Sequence, residues 1–503
     1  MKLYLKILIL MVLISFSIAD SREIGLDRMQ SKNAIRQDSS LDMRVTRNES
    51  ELIEFIESTM ATHLIPGLSI SVVKENDIVW QKYFGYANIE QNISVDENTI
   101  FILSSISKTI TGTALMQLFE QNLFELDDDI DLYLPFNVNH PDYPFTPITF
   151  KMLLSHTSGI KDNWSVMPYY DGDSEIQLNS YLSDYLTPDG ELYNTNSNFT
   201  SYMPGTNFNY TNIGAALIGL LVEEISGLPF NVYCNENIFE PLQMDNSFWF
   251  LSEIENLDNV ALPYQLSGGT GSTCFEIGCG IYNDSNPCFC DFACIDYGDC
   301  CPDYDDVCGE YGSGSSLENL QSYQNYGYSD YPSGQLRSSS NDLAKLMYAY
   351  MNGGVYNGVR ILDSSTIELI KTIHFPSVNS NQGLAWYYKN ENGRTLFGHN
   401  GGDLGSLTEM FISFSDSIGV ILLSNSTNYN AVVEIEAAIF DFAMQNEFMI
   451  IGDINSDSNI NIQDIVLVIN FILNNEYSSI ADLNSDQLVD VIDIVLLVNI
   501  IIN

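Results

Sequence analysis

The stretch Phe101-Ile-Leu-Ser-Ser-Ile-Ser-Lys108-Thr-Ile-Thr-Gly112 decides how this chain is read. Ser105 and Lys108 stand three residues apart, nearly one helical turn, so on a helix the hydroxyl and the amine rise on the same face. Ile106, Ile110, Ala114 and Leu118 recur every four residues. That period predicts a helix buried along one side, with Ser105 at its N-terminal end. A serine beside an amine is a nucleophile beside a candidate base. S-x-x-K alone also describes an ordinary buried helix that begins with serine, so the rest of the chain has to choose between the two.

Upstream, an amphipathic helix is expected from Leu52 to Ile65-Pro66-Gly67. Leu68-Ser-Ile-Ser-Val-Val73 and Ile78-Val-Trp-Gln-Lys-Tyr-Phe84 follow as a hairpin around Glu75-Asn76-Asp77. A helix, then antiparallel strands, then the Ser105 helix indicates an α+β fold rather than a doubly wound parallel sheet.

The 503 residues carry 66 acidic side chains against 19 basic ones, a formal charge of −47. Length implies two or three domains. Apolar content is too high for a disordered polyanion, and the charge excludes a broad basic face for nucleic acid or anionic lipid. Residues 1–19 read as a secretory signal: Lys2 and Lys6 precede and flank an apolar run from Ile7 to Ile14, and Ser17-Ile18-Ala19 offers small residues before a cut. An uncleaved membrane anchor is the alternative, although the run is short for a bilayer span. Export to an extracellular, cell-surface or periplasmic location is expected, with residues 20–48 as a polar linker.

Five further segments fall in a recognisable order: Pro66-Gly-Leu-Ser-Ile-Ser-Val72, Leu153-Leu-Ser-His-Thr-Ser-Gly159, Pro204-Gly-Thr-Asn-Phe-Asn-Tyr-Thr-Asn212, Leu336-Arg-Ser-Ser-Ser-Asn-Asp-Leu343 and Gly398-His-Asn-Gly-Gly402. Together with Ser105-Ile-Ser-Lys108 they resemble the serine β-lactamase-like hydrolases, which include class C β-lactamases, D-alanyl-D-alanine peptidases and related esterases. The resemblance spans about Glu51 to Met444 and sets a hydrolase domain at 49–446. It implies an antiparallel sheet flanked by helices, an all-helical region beside it, and a site between the two.

A serine hydroxyl attacks a carbonyl only when something removes its proton, and neither a G-x-S-x-G elbow nor an H-E-x-x-H metal motif suggests another machinery. The resemblance assigns Ser105 as nucleophile, Lys108 and Tyr210 as shared base and acid, and Asn212 as positioner. It also places the oxyanion hole at the amides of Ser105 and Gly402. Which of Lys108 and Tyr210 is deprotonated at rest stays open in the sequence. His399-Asn400-Gly401 stands where many relatives carry K-T-G. Lysine there holds a fixed charge near a substrate carboxylate, whereas histidine is largely neutral at pH 7. Uncharged esters or amides are therefore expected as substrates in preference to penicillins. His156 is expected to brace a loop, and His63, His140 and His374 lack a catalytic context.

Eight of the nine cysteines crowd into 274–308: Cys274, Cys279, Cys288, Cys290, Cys294, Cys300, Cys301 and Cys308. An exported, acidic segment with few apolar residues needs disulfides to hold it. Spacing does not give the pairing, and a zinc cluster is the alternative, disfavoured by the adjacent Cys300-Cys301. The run closely resembles a somatomedin-B domain, which implies the pairs Cys274–Cys290, Cys279–Cys308, Cys288–Cys301 and Cys294–Cys300, and possible protein contacts. Cys234 is expected to be a buried free thiol.

At the C-terminus Asp453, Asn455, Asp457, Asn459, Asn461 and Asp464 return as Asp482, Asn484, Asp486, Leu488, Asp490 and Asp493. These are loop positions 1, 3, 5, 7, 9 and 12 of an EF-hand-like calcium site, position 7 contributing a backbone carbonyl. Each loop leads into an apolar helix. The tandem, with aspartate at position 12, resembles a type I dockerin module (449–503), which implies structural Ca2+ and a cohesin-like partner. No cofactor for catalysis is expected. The different-class alternative is a catalytically silent protein-binding scaffold.

Overall fold

The computed structural model describes residues 48–75, 77–266, 317, 320–445, 452, 454–455, 460–474, 476–478, 480–484 and 488–502. The export segment 1–19, the linker up to residue 47 and the cysteine-rich insertion 274–308 lie outside the described residues.

The hydrolase domain opens with α1 (Glu49–Thr62), earlier by about a turn than the expected start at Leu52. Asn48 and Glu51 form a reciprocal capping box that begins the helix there. Leu64, at φ 52°, lies just past its end. The chain then runs through β1 (Gly67–Lys74) and β2 (Asp77–Asn88), the expected hairpin. With β3 (Ile93–Ser94), β4 (Tyr387–Glu391), β5 (Arg394–Asp403), β6 (Ser406–Ser413) and β7 (Ile418–Ser424) these make one antiparallel sheet in the order β4-β5-β6-β7-β1-β2-β3. The first and last parts of the domain thus meet at the β1–β7 pair.

Strand alternation sorts the core into two layers. Leu68, Ile70 and Val72 of β1 and Val420 and Leu422 of β7 pack under α1 and α5 (Tyr429–Gln445). Ile421 and Leu423 face the other way, into a cluster with Leu343 and Met347 of α4 (Ser340–Met351). On that face Ser69 and Ser71 both meet Ser340 Oγ, at 2.7 and 2.9 Å. Beyond α4 lies the helical region, centred on α2 (Ser107–Glu120) and α3 (Asn212–Ser226), whose apolar residues share the same core.

The sequence pattern understated how deep α2 sits. It is buried on every side from Ser107 to Leu118, not along one stripe. Most of its polar residues tolerate this because they bond to neighbouring backbone. Thr109, Thr111 and Thr113 donate to the carbonyls of Ile106, Pro332 and Thr109, and the Gln117 amide donates to those of Asn237 and Ile361. The nucleophile candidate is therefore carried by the central helix of the domain.

A second buried constraint joins sheet to helix. Lys389 on β4 contacts Glu409 on β6 at 2.9 Å, Glu436 on α5 at 2.6 Å and Glu391 at 3.1 Å. Burial would pull this amine down, but the three carboxylates hold it well above the usual lysine range. Replacing Lys389 by Met leaves buried acids without their cation. The expected cost is about 3–5 kcal/mol of unfolding free energy, measurable by denaturant titration.

Candidate active site

The backbone is fixed before Ser105 is reached. Phe101–Ile102 pairs with Arg337–Ser338, and Leu103 N–H donates to Leu336 O at 2.8 Å. Ser104 adopts the left-handed conformation, φ 51°, which turns the chain into a short 3₁₀ segment Ser104–Ile106 leading into α2. From β6, Ser406 Oγ donates to Ile102 O and Thr408 Oγ1 to Leu103 O, both at 2.8 Å. From β5, Gly401 passes so close that a Cβ there would lie 2.2 Å from Leu103 O and 2.3 Å from Thr408 Oγ1. Only glycine lets the strand lie against the nucleophile turn, and Gly402 follows it on the same strand.

Lys108 Nζ, buried, lies 3.2 Å from Ser105 Oγ, 2.7 Å from Asn212 Oδ1 and 2.6 Å from the Ser333 carbonyl. Its nitrogen stands 4.8 Å from the centre of the Tyr210 ring. The Tyr210 hydroxyl is buried without a well-formed hydrogen-bond partner. Burial raises its pKa far above the ordinary phenol range, and Asp162 adds to this while the Ser105 hydroxyl opposes it. Ser105, Lys108, Tyr210 and Asn212 thus come together from distant parts of the chain.

His399 also reaches this site. It lies 6.1 Å from Tyr210 and 5.1 Å from Tyr387, ring centre to ring centre. Its Nδ1 stands 2.5 Å from the Asn400 carbonyl, which can only accept, so the proton sits on Nδ1 and Nε2 is left as an acceptor. Burial, and then the nearby Lys108, bring its pKa down to about 3. His156 takes the bracing place expected of it. Its ring packs on Tyr210 with centres 4.4 Å apart, its Nδ1 accepts from Thr211 N–H, and its carbonyl accepts from Asn209 N–H. Cys234 is buried and free, as expected.

Two residues that the motifs did not single out stand behind the site. Asp162, buried, accepts from Thr211 Oγ1, from the amides of Asn212 and Ile213, and from Asn212 Nδ2 at 3.0 Å. Burial raises its pKa and Asp330 adds to the rise, while these donors oppose it. Asp330, also buried, accepts from Ser333 Oγ at 2.8 Å. The only trace of Asp162 in the sequence was its place three residues after Gly159, in a chain full of acids.

The C-terminal loops repeat one arrangement. Asp464 accepts from the amides of Ile454, Asn455 and Asn461, and Asp493 from those of Leu483, Asn484 and Asp490. Both carboxylates are buried, at the starts of α6 (Ile462–Asn474) and α7 (Val491–Ile502). Asp482 accepts from Tyr477 Oη, and Leu488 is exposed. Asp453, Asp457, Asn459 and Asp486 lie outside the described residues. Among the described residues no group of three or more His, Cys, Asp or Glu side chains is placed to hold a metal.

Comparison with known proteins supplies the family. The family profile described as Beta-lactamase matches residues 52–442. The chain belongs to the Beta-lactamase family. Protein flp of Staphylococcus aureus strain MRSA252 is 27% identical over 231 residues, 45% of this chain and 43% of flp. Penicillin-binding protein 4* of Bacillus subtilis strain 168 is 26% identical over 206 residues, 39% of this chain and 41% of that protein. The chain thus spans less than half the length of these curated relatives. Among solved structures, the octameric penicillin-binding protein homologue from Pyrococcus abyssi superposes with TM-score 0.55 at 23% identity, covering 80% of this chain and 79% of that one. The D-amino acid amidase from Ochrobactrum anthropi SV3 superposes with TM-score 0.56 at 18% identity, covering 79% and 99%. At these identities the superpositions establish the α+β fold of the family.

The neutral His399 has a consequence for stability. Its folded pKa of about 3 lies below the ordinary value near 6.5, so between these limits the unfolded chain binds more protons. Stability should therefore fall as pH drops through that window and be unaffected by this group above it. In His399→Gln the decrease in melting temperature between pH 7.5 and pH 4.5 should be smaller than in the wild type.

Proposed function

We propose that the protein is a serine hydrolase that cleaves an uncharged ester or amide through an acyl-enzyme on Ser105. The observation that carries this reading is Lys108 Nζ, 3.2 Å from Ser105 Oγ and held from behind by two carbonyl oxygens. In the first step Ser105 Oγ forms a bond to the substrate carbonyl carbon while its proton passes to Lys108. The oxygen of the tetrahedral intermediate takes up negative charge and is stabilised by the amides of Ser105 and Gly402. Collapse breaks the bond to the leaving alcohol or amine, which takes its proton from Lys108 through Tyr210. The raised pKa of Tyr210 suits a group that stays protonated at rest and relays a proton. Water then attacks the acyl carbon by the reverse route and frees Ser105.

Substrate preference follows from His399. A neutral ring offering Nε2 as acceptor suits an amide N–H or a hydroxyl and gives a carboxylate no cationic partner. The loop from Tyr193 to Thr211, which leads to Tyr210, carries no charged residue in a chain of net charge −47. A β-lactamase or D-amino-acid peptidase is the second reading, favoured by the names of the relatives: a penicillin-binding protein and a D-amino acid amidase.

Around this chemistry we propose export, a disulfide-held somatomedin-B-like insertion that makes protein contacts, and calcium-dependent attachment to a cohesin-like protein. The oxygen-only donors at Asn455, Asn461, Asp464, Asp482, Asn484, Leu488, Asp490 and Asp493, with Asp453, Asp457, Asn459 and Asp486, fit calcium chemically. The ion would fold the module.

The discriminating experiment compares kcat/KM for p-nitrophenyl esters, D-amino acid amides and penicillins, with Ser105→Ala as the blank. Esters and amides are expected to be turned over well ahead of penicillins, and His399→Lys to move the ratio toward carboxylate-bearing substrates. Efficient penicillin turnover with no esterase activity would replace the first reading by the second.

A further inference from the structure

Lys108 Nζ faces three oxygens of different kinds. Asn212 Oδ1 and the Ser333 carbonyl, at 2.7 and 2.6 Å, can only accept hydrogen bonds. Ser105 Oγ, at 3.2 Å, can accept or donate. A neutral amine has two N–H bonds and one lone pair. With both N–H bonds committed to the carbonyl oxygens, the lone pair is left for the Ser105 hydroxyl proton.

That arrangement depends on both acceptors staying as they are, and each is held by a buried aspartate. Asn212 could present its NH2 end to Lys108 after a flip of its amide. Its Nδ2 instead donates to Asp162 Oδ2 at 3.0 Å, so a flip would set the amide oxygen against a carboxylate and an NH2 group against the amine. Asp162 is itself fixed by Thr211 Oγ1 and the first amides of α3, where a carboxylate is favoured by the helix dipole. On the other side, Ser333 Oγ donates to Asp330 Oδ2, and Ser333 N–H to the Asp330 carbonyl at 2.9 Å. These bonds close the turn Tyr331–Ser333 that presents the Ser333 carbonyl. Thr111 Oγ1 ties the same turn to α2 through the Pro332 carbonyl.

We infer that Asp162 and Asp330 are paired positioning residues: each fixes one acceptor of the Lys108 amine, and together they direct its lone pair at Ser105. The inference rests on Ser105 being the nucleophile and makes Lys108, not Tyr210, the resting base. Neither aspartate touches the reacting atoms. The charged and titratable groups around Lys108 include Asp162 behind α3, Asp330 in the turn, His156 and Tyr210 on the loop side and His399 on β5.

The test uses full-length protein and a p-nitrophenyl ester, with Asp162→Asn, Asp330→Asn and, as a control, Asp342→Asn. Asp342 is likewise a buried aspartate, but it bonds to the Asn246 amide and Lys345 rather than to groups that touch Lys108. In Asp162→Asn, kcat should fall by about 10²-fold or more with KM changed less than about threefold, the scale of a misdirected general base. The acid limb of its kcat/KM profile should move to lower pH, because an anion that favours the ammonium form has been removed. Asp330→Asn should lose kcat in the same sense, and it carries the test alone if Asp162→Asn does not fold. Asp342→Asn should lower the melting temperature while keeping kcat within about threefold. Folded Asp162→Asn and Asp330→Asn proteins with wild-type kcat would overturn the inference, as would an Asp342→Asn protein that loses as much kcat as Asp162→Asn. A wild type inert toward every ester and amide would overturn both this inference and the reading of function beneath it.

Discussion

Three segments far apart in the sequence converge on one nitrogen, Lys108 Nζ, and the rest of the site depends on that convergence. α2 brings the amine, the start of α3 brings Asn212, and the turn at Tyr331–Ser333 brings a bare carbonyl. The amine can be held this closely only because α2 runs through the middle of the domain, buried on every side. Its threonines and Gln117 spend their polar groups on neighbouring backbone, which ties the helix to both the turn and the outer loops. Core and catalytic geometry are therefore one structure, and a change that loosens α2 acts on both.

The site itself holds few charges, each at a fixed place. The net charge of −47 belongs to the chain as a whole, whereas the described site holds one lysine with two aspartates set behind its acceptors. Burial keeps His156 and His399 neutral, with Lys108 reinforcing both shifts. Tyr210 keeps its proton for the same reason. The two histidines, which would titrate near neutrality in water, are thus each held in one protonation state. On β5, glycine at 401 brings the strand against the Ser105 turn, and the His399 tautomer fixed by Asn400 sets what that edge offers a substrate.

Much of this was legible in the sequence, for identifiable reasons. Ser105, Lys108, Tyr210, Asn212, His399 and Gly401 lie in short segments that were picked out by their ordered resemblance to a known family, which spacing alone would not have done. The hairpin at Gly67–Asn88 was visible because strand alternation is a local property. The all-round burial of α2 was not, since threonine and glutamine look like surface residues until their backbone partners are known. Asp162 and Asp330 were hidden for a similar reason: their positions depend on contacts across the fold, and 66 acidic residues give no cue to which of them are buried beside the site. In the C-terminal loops the repeat was plain, and the matching amide bonds at Asp464 and Asp493 reproduce its symmetry in the described residues.

The central claim is that Ser105 is activated by the amine beside it. The most direct measurement is the rate of covalent labelling by a fluorophosphonate probe in wild type and in Lys108→Ala, with peptide mapping of the adduct. The account predicts a single adduct on Ser105, and labelling slower by about 10²-fold or more in a Lys108→Ala protein that remains folded. Label at another residue, or undiminished labelling of Ser105 without the lysine, would contradict it.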